Sequence, residues 1–140
     1  MYNKIVLLLA SYNGVKYIKE QIDSILNQKD VDITIFISDD LSIDRTIEYL
    51  QDIYKDFKNI VYLPSGSKFG GAGKNFFRLI RDVDLSSFDF VSFVDQDDIW
   101  YEDKLIRAIK IIEDKQIDAY SSNVLAFWED GKKMIINKSS

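Results

Sequence analysis

Short, continuous apolar runs alternate with segments of helical period along most of the chain, and this alternation is what most narrows the folds open to it. Ile5-Val6-Leu7-Leu8-Leu9-Ala10 is apolar at every position. A parallel strand covered by helices on both faces reads this way, whereas a strand with one wet face alternates. From Gly14 the period changes, and Ile18, Ile22, Ile25 and Leu26 fall on one helical stripe, with Lys16, Lys19, Glu20 and Asp23 on the other faces. Residues 33–37, β-branched and aromatic, read as a second strand. Ile47, Leu50 and Ile53 or Tyr54 mark a second helix, which Ser42 or Asp44 is placed to cap. A third strand at 60–63, a loop over 64–73 and a helix bearing Phe76, Phe77 and Ile80 follow. A fourth strand covers 88–94, and Leu105, Ile109 and Ile112 mark a fourth helix. A fifth strand is expected at 118–123, then a hairpin turn at Asp130-Gly131 between 124–127 and 134–136. Strands joined by helical crossovers give an α/β fold with a mostly parallel central sheet flanked by helices.

The chain has 140 residues, 46% of them hydrophobic, which suits one domain with a real core and no linker. Its net charge is −5 and no run of Lys or Arg forms a basic stripe, so nucleic acid is excluded as a partner. Cysteine is absent, which removes disulfides, thiolate catalysis and zinc–sulfur sites. Histidine is absent too. Ser-His-Asp triads and histidine-ligated metals are thereby ruled out, and carboxylates remain as bases and metal ligands. The apolar run at the start is far shorter than the ~18 residues of a membrane span, so neither a signal peptide nor a transmembrane segment is expected.

In an open parallel sheet, ligands bind in the crevice outside the carboxyl ends of the strands. There the sequence places Ser11-Tyr12-Asn13, Asp39-Asp40 and Asp95-Gln96-Asp97-Asp98. Three carboxylates within four positions repel one another unless solvent or a cation relieves them. Magnesium or manganese, which take oxygen ligands and combine one or two carboxylates with substrate phosphates, suits such a cluster, with Asp95 and Asp97 as ligand candidates. The same spacing also fits Asp98 capping the next helix and the other two as exposed loop acids, and the residues alone leave both readings open. Asp39 and Asp40 equally suit a strand end, where Asp bonds free N–H groups. Tyr12 offers a ring for stacking, or simply packs. Lys74 opens a helix after a glycine-rich loop, a place to meet phosphate. Asn75 follows it where a P-loop has Ser or Thr, so a P-loop ATPase is rejected.

Taken together, Ala10-Ser11-Tyr12-Asn13-Gly14, the stretch from Ser38 to Thr46, Gly73-Lys74-Asn75-Phe76 and Val94-Asp95-Gln96-Asp97-Asp98-Ile99-Trp100 strongly resemble glycosyltransferase family two, inverting enzymes of Rossmann-like GT-A fold. The Asp-Gln-Asp-Asp-Ile-Trp variant is most similar to bacterial rhamnosyltransferase-type members that build surface polysaccharides. The resemblance implies a UDP- or dTDP-sugar donor, a divalent manganese or magnesium ion, and a glycan or lipid-linked acceptor. It implies that Ala10 and Tyr12 line the base pocket and that Asp39 accepts the N3–H of uracil or thymine. Lys74 would face the nucleotide, Asp95 would contact the ribose or sugar, Gln96 would belong to the same donor-binding set, and Asp97 would hold the metal on the diphosphate. Members also carry a further C-terminal region that binds acceptor and supplies the general base, so residues 1–140 are expected to form the donor-binding domain, with little transfer activity alone. A cytoplasmic place follows from the lack of an export signal, any contact with the inner face of the membrane coming from that further region or from a lipid-linked acceptor. Two rivals stand beside this reading: a flavodoxin-like phosphoryl-receiver domain, and a catalytically silent nucleotide-binding module.

Overall fold

The computed structural model describes residues 2–66, 68–95, 99–117, 125–127 and 133–135, the last two stretches and Asp95 as backbone only. One sheet organises the chain. Its strands are β1 (Asn3–Ser11), β2 (Val31–Asp39), β3 (Ile60–Tyr62), β4 (Phe90–Asp95), β5 (Leu125–Phe127) and β6 (Lys133–Ile135), in spatial order β3-β2-β1-β4-β5-β6. The first four are mutually parallel, and β5 and β6 add antiparallel to the β4 edge. The α/β class and mostly parallel sheet expected from the sequence are what the chain forms.

Helices α1 (Ile18–Leu26), α2 (Thr46–Ile53), α3 (Ala72–Asp82) and α4 (Lys104–Lys115) cover the sheet. Residues 5–11 of β1 are all buried, the reason that run contains no polar residue before Ser11. Leu7, Leu9, Ile35 and Ile37 point to one face, where Ile18, Ile22 and Ile25 of α1, Leu50 of α2 and Leu105 and Ile109 of α4 close a core. Val6, Leu8, Ala10 and Phe93 point to the other, against Leu79 and Val83 beside the end of α3. Asp44 was one of two cap candidates for α2, and it accepts the Thr46 N–H at 3.1 Å.

Several expectations are corrected. The glycine loop ends earlier than its composition implies, because α3 begins at Ala72 and takes Gly73 into its first turn. The helix expected to bear Phe76, Phe77 and Ile80 is α3, whose buried side is formed by Asn75, Phe76, Arg78 and Leu79 while Phe77 is 70% exposed. The strand expected at 118–123 and the turn at Asp130-Gly131 lie outside the described residues, although β5 and β6 pair antiparallel as that hairpin requires. Among the described residues no helix is long and apolar enough to cross a membrane.

Candidate functional site

The strand order reverses at β1: β2 and β3 lie to one side of it and β4 to the other. Such a switch point opens a crevice above the carboxyl ends of the central strands, because the two adjoining crossovers leave in opposite directions. Ser11 is registered with Asp39 across the β1–β2 ladder, and Ala10 with Asp95 across the β1–β4 ladder. The backbones carrying Asp39 and Asp95 therefore flank β1 at one end of the sheet, two strand spacings or about 10 Å apart.

The loops leaving these strands are tied together. The Asn13 N–H donates to Ser42 Oγ at 2.8 Å and the Ile43 N–H to Asn13 Oδ1 at 2.9 Å. The Gly14 N–H reaches Thr46 Oγ1 at 3.0 Å, and the Val15 N–H reaches Asp44 Oδ2 at 3.1 Å. These side chains satisfy backbone donors that would otherwise be orphaned where strand gives way to helix.

Between these loops and α3 lies a cleft of about 390 Å³, walled by Ala10, Ser11 and Tyr12 of the β1 end, Asp40, Lys68 with the glycine loop, and Asn75. Asp40 is only 4% exposed. Its carboxylate accepts backbone N–H groups from Phe69, from Gly70 at 3.0 Å and from Gly71 at 3.2 Å, which folds the loop onto the β2 end. Gly70 sits at φ +87°, a left-handed conformation that a side chain would strain. Tyr12 is 43% exposed, and the Lys68 ammonium lies 3.9 Å from its ring centroid, within cation–π range.

One polar network crosses the apolar layer beneath the cleft. Asn75, 1% exposed, donates from Nδ2 to the Ser38 carbonyl at 2.8 Å and the Ser11 carbonyl at 3.4 Å, and accepts the Ser38 hydroxyl. The buried Arg78 donates to Ser38 Oγ at 2.9 Å, to the Pro64 carbonyl and to Asp82 at 2.9 Å. Asp82 is held well below the usual carboxylate range, at about 2, first by a hydrogen bond from Arg81 and then by that from Arg78. A depressed folded-state pKa stabilises the fold above the unfolded value and stops doing so as pH falls through the folded one. Asp82→Asn should therefore flatten the loss of thermal stability between about pH 4 and pH 2. Melting curves across that range test this, and an unchanged acid limb would remove Asp82 from it.

The expected site residues separate into groups. Ala10 and Tyr12 line the cleft. Asp39, 7% exposed, stands just behind it, where its carboxylate accepts the Ser11 hydroxyl at 2.6 Å, the Ser42 hydroxyl at 2.6 Å and the Ser42 N–H at 2.8 Å. Lys74 is exposed on the first turn of α3 and is not part of the cleft wall. Asp95 closes β4 beside Ala10, while Gln96, Asp97 and Asp98 lie outside the described residues. Asp40 lies in the wall as a strand-end carboxylate that bonds free N–H groups, one of the two readings the sequence offered for it, whereas Lys68 and Asn75 are wall residues to which sequence reasoning gave no role. Asn75 carried a signal, being a polar residue on the apolar side of a helix, whereas Lys68 sits among loop residues with no period to place it.

The sequence model described as Glycosyl transferase family 2 matches residues 7–138. The dTDP-rhamnosyl transferase RfbG of Shigella flexneri is 51% identical over 132 residues, which is 94% of this chain and 46% of that protein. Among solved structures, TarS of S. aureus in complex with UDP superposes with a TM-score of 0.70 at 26% identity, covering 82% of this chain and 33% of that one. A mannosyltransferase of Pyrobaculum calidifontis, in complex with GDP-Man and Mn2+, shares the fold with a TM-score of 0.66 at 19% identity, over 80% of this chain and 33% of its own. The chain thus spans between about a third and a half of the length of these relatives.

Proposed function

The chain belongs to glycosyl transferase family 2, and from that membership we propose that it forms the donor-binding part of an inverting, metal-dependent glycosyltransferase that takes a dTDP- or UDP-sugar. The observation that carries this reading is the cleft above the switch strand, where a half-exposed tyrosine ring, a buried carboxylate and a lysine share one wall. A pyrimidine stacks on the Tyr12 face. Asp40 takes the N3–H of uracil or thymine in place of Asp39. Each carboxylate offers about four acceptor sites, and among the described residues three on each are in use. Only Asp40, however, forms part of the cleft wall. Asp39 then acts from behind, holding Ser11 and Ser42 and hence the rim. Lys68 meets the phosphates once a base replaces it on the Tyr12 ring, with Lys74 further out.

The carboxylates of Asp95 and Asp97, together with donor phosphate oxygens, are the hard oxygen set that manganese or magnesium selects. When bound, such an ion neutralises charge on the departing diphosphate. The sugar is rhamnose by likeness to the Shigella relative, and the acceptor is a growing glycan or lipid-linked saccharide of a surface polysaccharide. The base that deprotonates the acceptor is sought in the further length its relatives possess. Family membership and the TarS-like fold do not favour the phosphoryl-receiver alternative.

Calorimetry with dTDP, UDP and GDP, each with and without manganese, tests the reading. dTDP and UDP should bind, manganese should tighten both, and GDP should bind at least about tenfold more weakly, because a purine stacked on Tyr12 carries its N1–H away from the place of the pyrimidine N3–H, a loss of the size of one hydrogen bond. Asp97→Ala should remove the manganese-dependent gain while leaving the melting temperature nearly unchanged. Equal binding of all three nucleotides would overturn the base assignment, and a manganese gain surviving in Asp97→Ala would overturn the ligand assignment.

A further inference from the structure

Among the described residues of the cleft wall, Lys68 alone is basic, and what it touches is a ring rather than a carboxylate. Lys19, Lys29, Arg78, Arg81 and Arg107 each pair with an Asp or Glu, whereas no carboxylate among the described residues pairs with Lys68. Its ammonium stands 3.9 Å from the centroid of the Tyr12 ring. The other ammonium–ring contacts described are longer, 5.3 Å for Lys16 on Tyr17 and 4.6 Å for Lys104 on Trp100. Those two join residues close in sequence. The Lys68 contact instead bridges two walls of the cleft, from the glycine loop to the residue that follows β1.

The loop is built to deliver this side chain. The Arg78 guanidinium of α3 holds the Pro64 carbonyl and lies 5.6 Å from the Phe69 ring. Asp40 takes the N–H of Phe69, the residue next to Lys68, and those of Gly70 and Gly71. The backbone at 69–71 is thus fixed to the β2 end, while Lys68 itself is exposed on a flexible stem. A fixed backbone with a loose side chain suits a group that must leave and return.

Stacked rings in contact stand about 3.5–4 Å apart. The ammonium at 3.9 Å therefore occupies the layer that a stacked base needs, and because both residues wall the cleft, the covered face is the one turned toward it. Base and lysine cannot share that face.

We propose that Lys68 is a specificity-determining residue, an internal competitor for the Tyr12 face that makes the cleft choose nucleoside diphosphates over bare nucleosides. A nucleoside has to displace the ammonium and offers it nothing in return. A diphosphate displaces it too, but its oxygens accept the freed ammonium in charge-assisted hydrogen bonds. A face open for only part of the time lowers apparent affinity by that fraction, so the base and phosphate subsites are coupled through one side chain without any motion of the sheet. The proposal rests on the stacking of a pyrimidine on Tyr12 given above.

Affinities for thymidine and dTDP, both without metal, are measured by nuclear magnetic resonance titration, which reads weak binding, in the parent protein, Lys68→Ala and Lys68→Arg. Lys68→Ala should bind thymidine about fivefold more tightly, the equivalent of a cation–π contact of about 1 kcal/mol. Its preference for dTDP over thymidine should fall at least about tenfold, because a charge-assisted bond is lost. Lys68→Arg keeps both the charge and the ring contact and should behave nearly as the parent. In the parent, the Lys68 Cε protons, shielded by the Tyr12 ring, should return toward their ordinary resonance as thymidine is added. Thymidine binding that weakens or stays the same in Lys68→Ala would overturn the proposal, since mere support of the loop would cost both ligands alike. That result, with dTDP still bound by the parent, leaves the nucleotide reading standing; a parent that binds neither ligand would sink that reading and this proposal together.

Discussion

Asp40→Ala should lower the affinity for dTDP and UDP about a hundredfold and free the glycine loop in the same step. Hydrogen bonds to a charged group each contribute about 1.5–3 kcal/mol, and this carboxylate collects three from the backbone of Phe69, Gly70 and Gly71. The loop amides regain water when the carboxylate goes, so the loss is well below the sum, about 3 kcal/mol, which corresponds to the stated factor. Asp40→Asn should rescue little. One of its two positions becomes an NH2 group facing backbone donors, where a carboxylate offers oxygen on both sides. Calorimetry gives the affinity, and exchange at the Gly70 and Gly71 amides reports the loop. Asp39→Ala is the informative control, because its partners are Ser11 and Ser42 and its loss should fall more on stability than on binding. Binding that survives Asp40→Ala and vanishes in Asp39→Ala would reverse the roles given to the pair.

Arg78→Ala is expected to be the most destabilising of the substitutions considered, by about 3 kcal/mol, or about 10 °C in melting temperature for a domain of this size. The guanidinium is buried and shared among Ser38, the Pro64 carbonyl and Asp82. Its removal leaves the buried Ser38 hydroxyl short of a donor in a place water reaches poorly, and leaves Asn75 with a loosened partner, whereas the carbonyl of the exposed Pro64 can turn to water. Arg78→Met keeps much of the stem and discards the charge. It should cost nearly as much if hydrogen bonding dominates, and much less if packing does. Urea unfolding of both variants separates the two, and a loss under about 1 kcal/mol in each would show that the network is dispensable.

The sheet and its helices were legible because their signals are local. The unbroken apolar run of β1 states that both faces are covered, and the stripe of Ile18, Ile22 and Ile25 identifies α1 without reference to anything else. Choosing between Asp39 and Asp40 is a different problem. Adjacent residues at a strand end turn to opposite sides, and which side holds the crevice depends on β4 joining β1 rather than β3. No window of sequence contains that pairing. The same limit explains Lys74 and Lys68: the first looks well placed by its motif, while the second reaches the Tyr12 ring from the loop that Asp40 draws in from the β2 end. The start of α3 was misplaced because glycine content signals a loop, whereas Gly70, through its left-handed backbone, ends the loop early.

The order of the strands bears on how the chain is made. β1 leaves the ribosome before the strands it pairs with and meets β2 soon afterwards, but its other edge receives β4, whose Phe90 sits opposite Ile5 across 85 positions of sequence. At typical translation speeds the most apolar strand of the molecule waits roughly ten seconds with one side bare, a template for pairing with any nearby nascent chain. Yield in a cell should accordingly depend on how fast that stretch is translated, and on chaperones that shield the first strand, more than on the final stability of the fold.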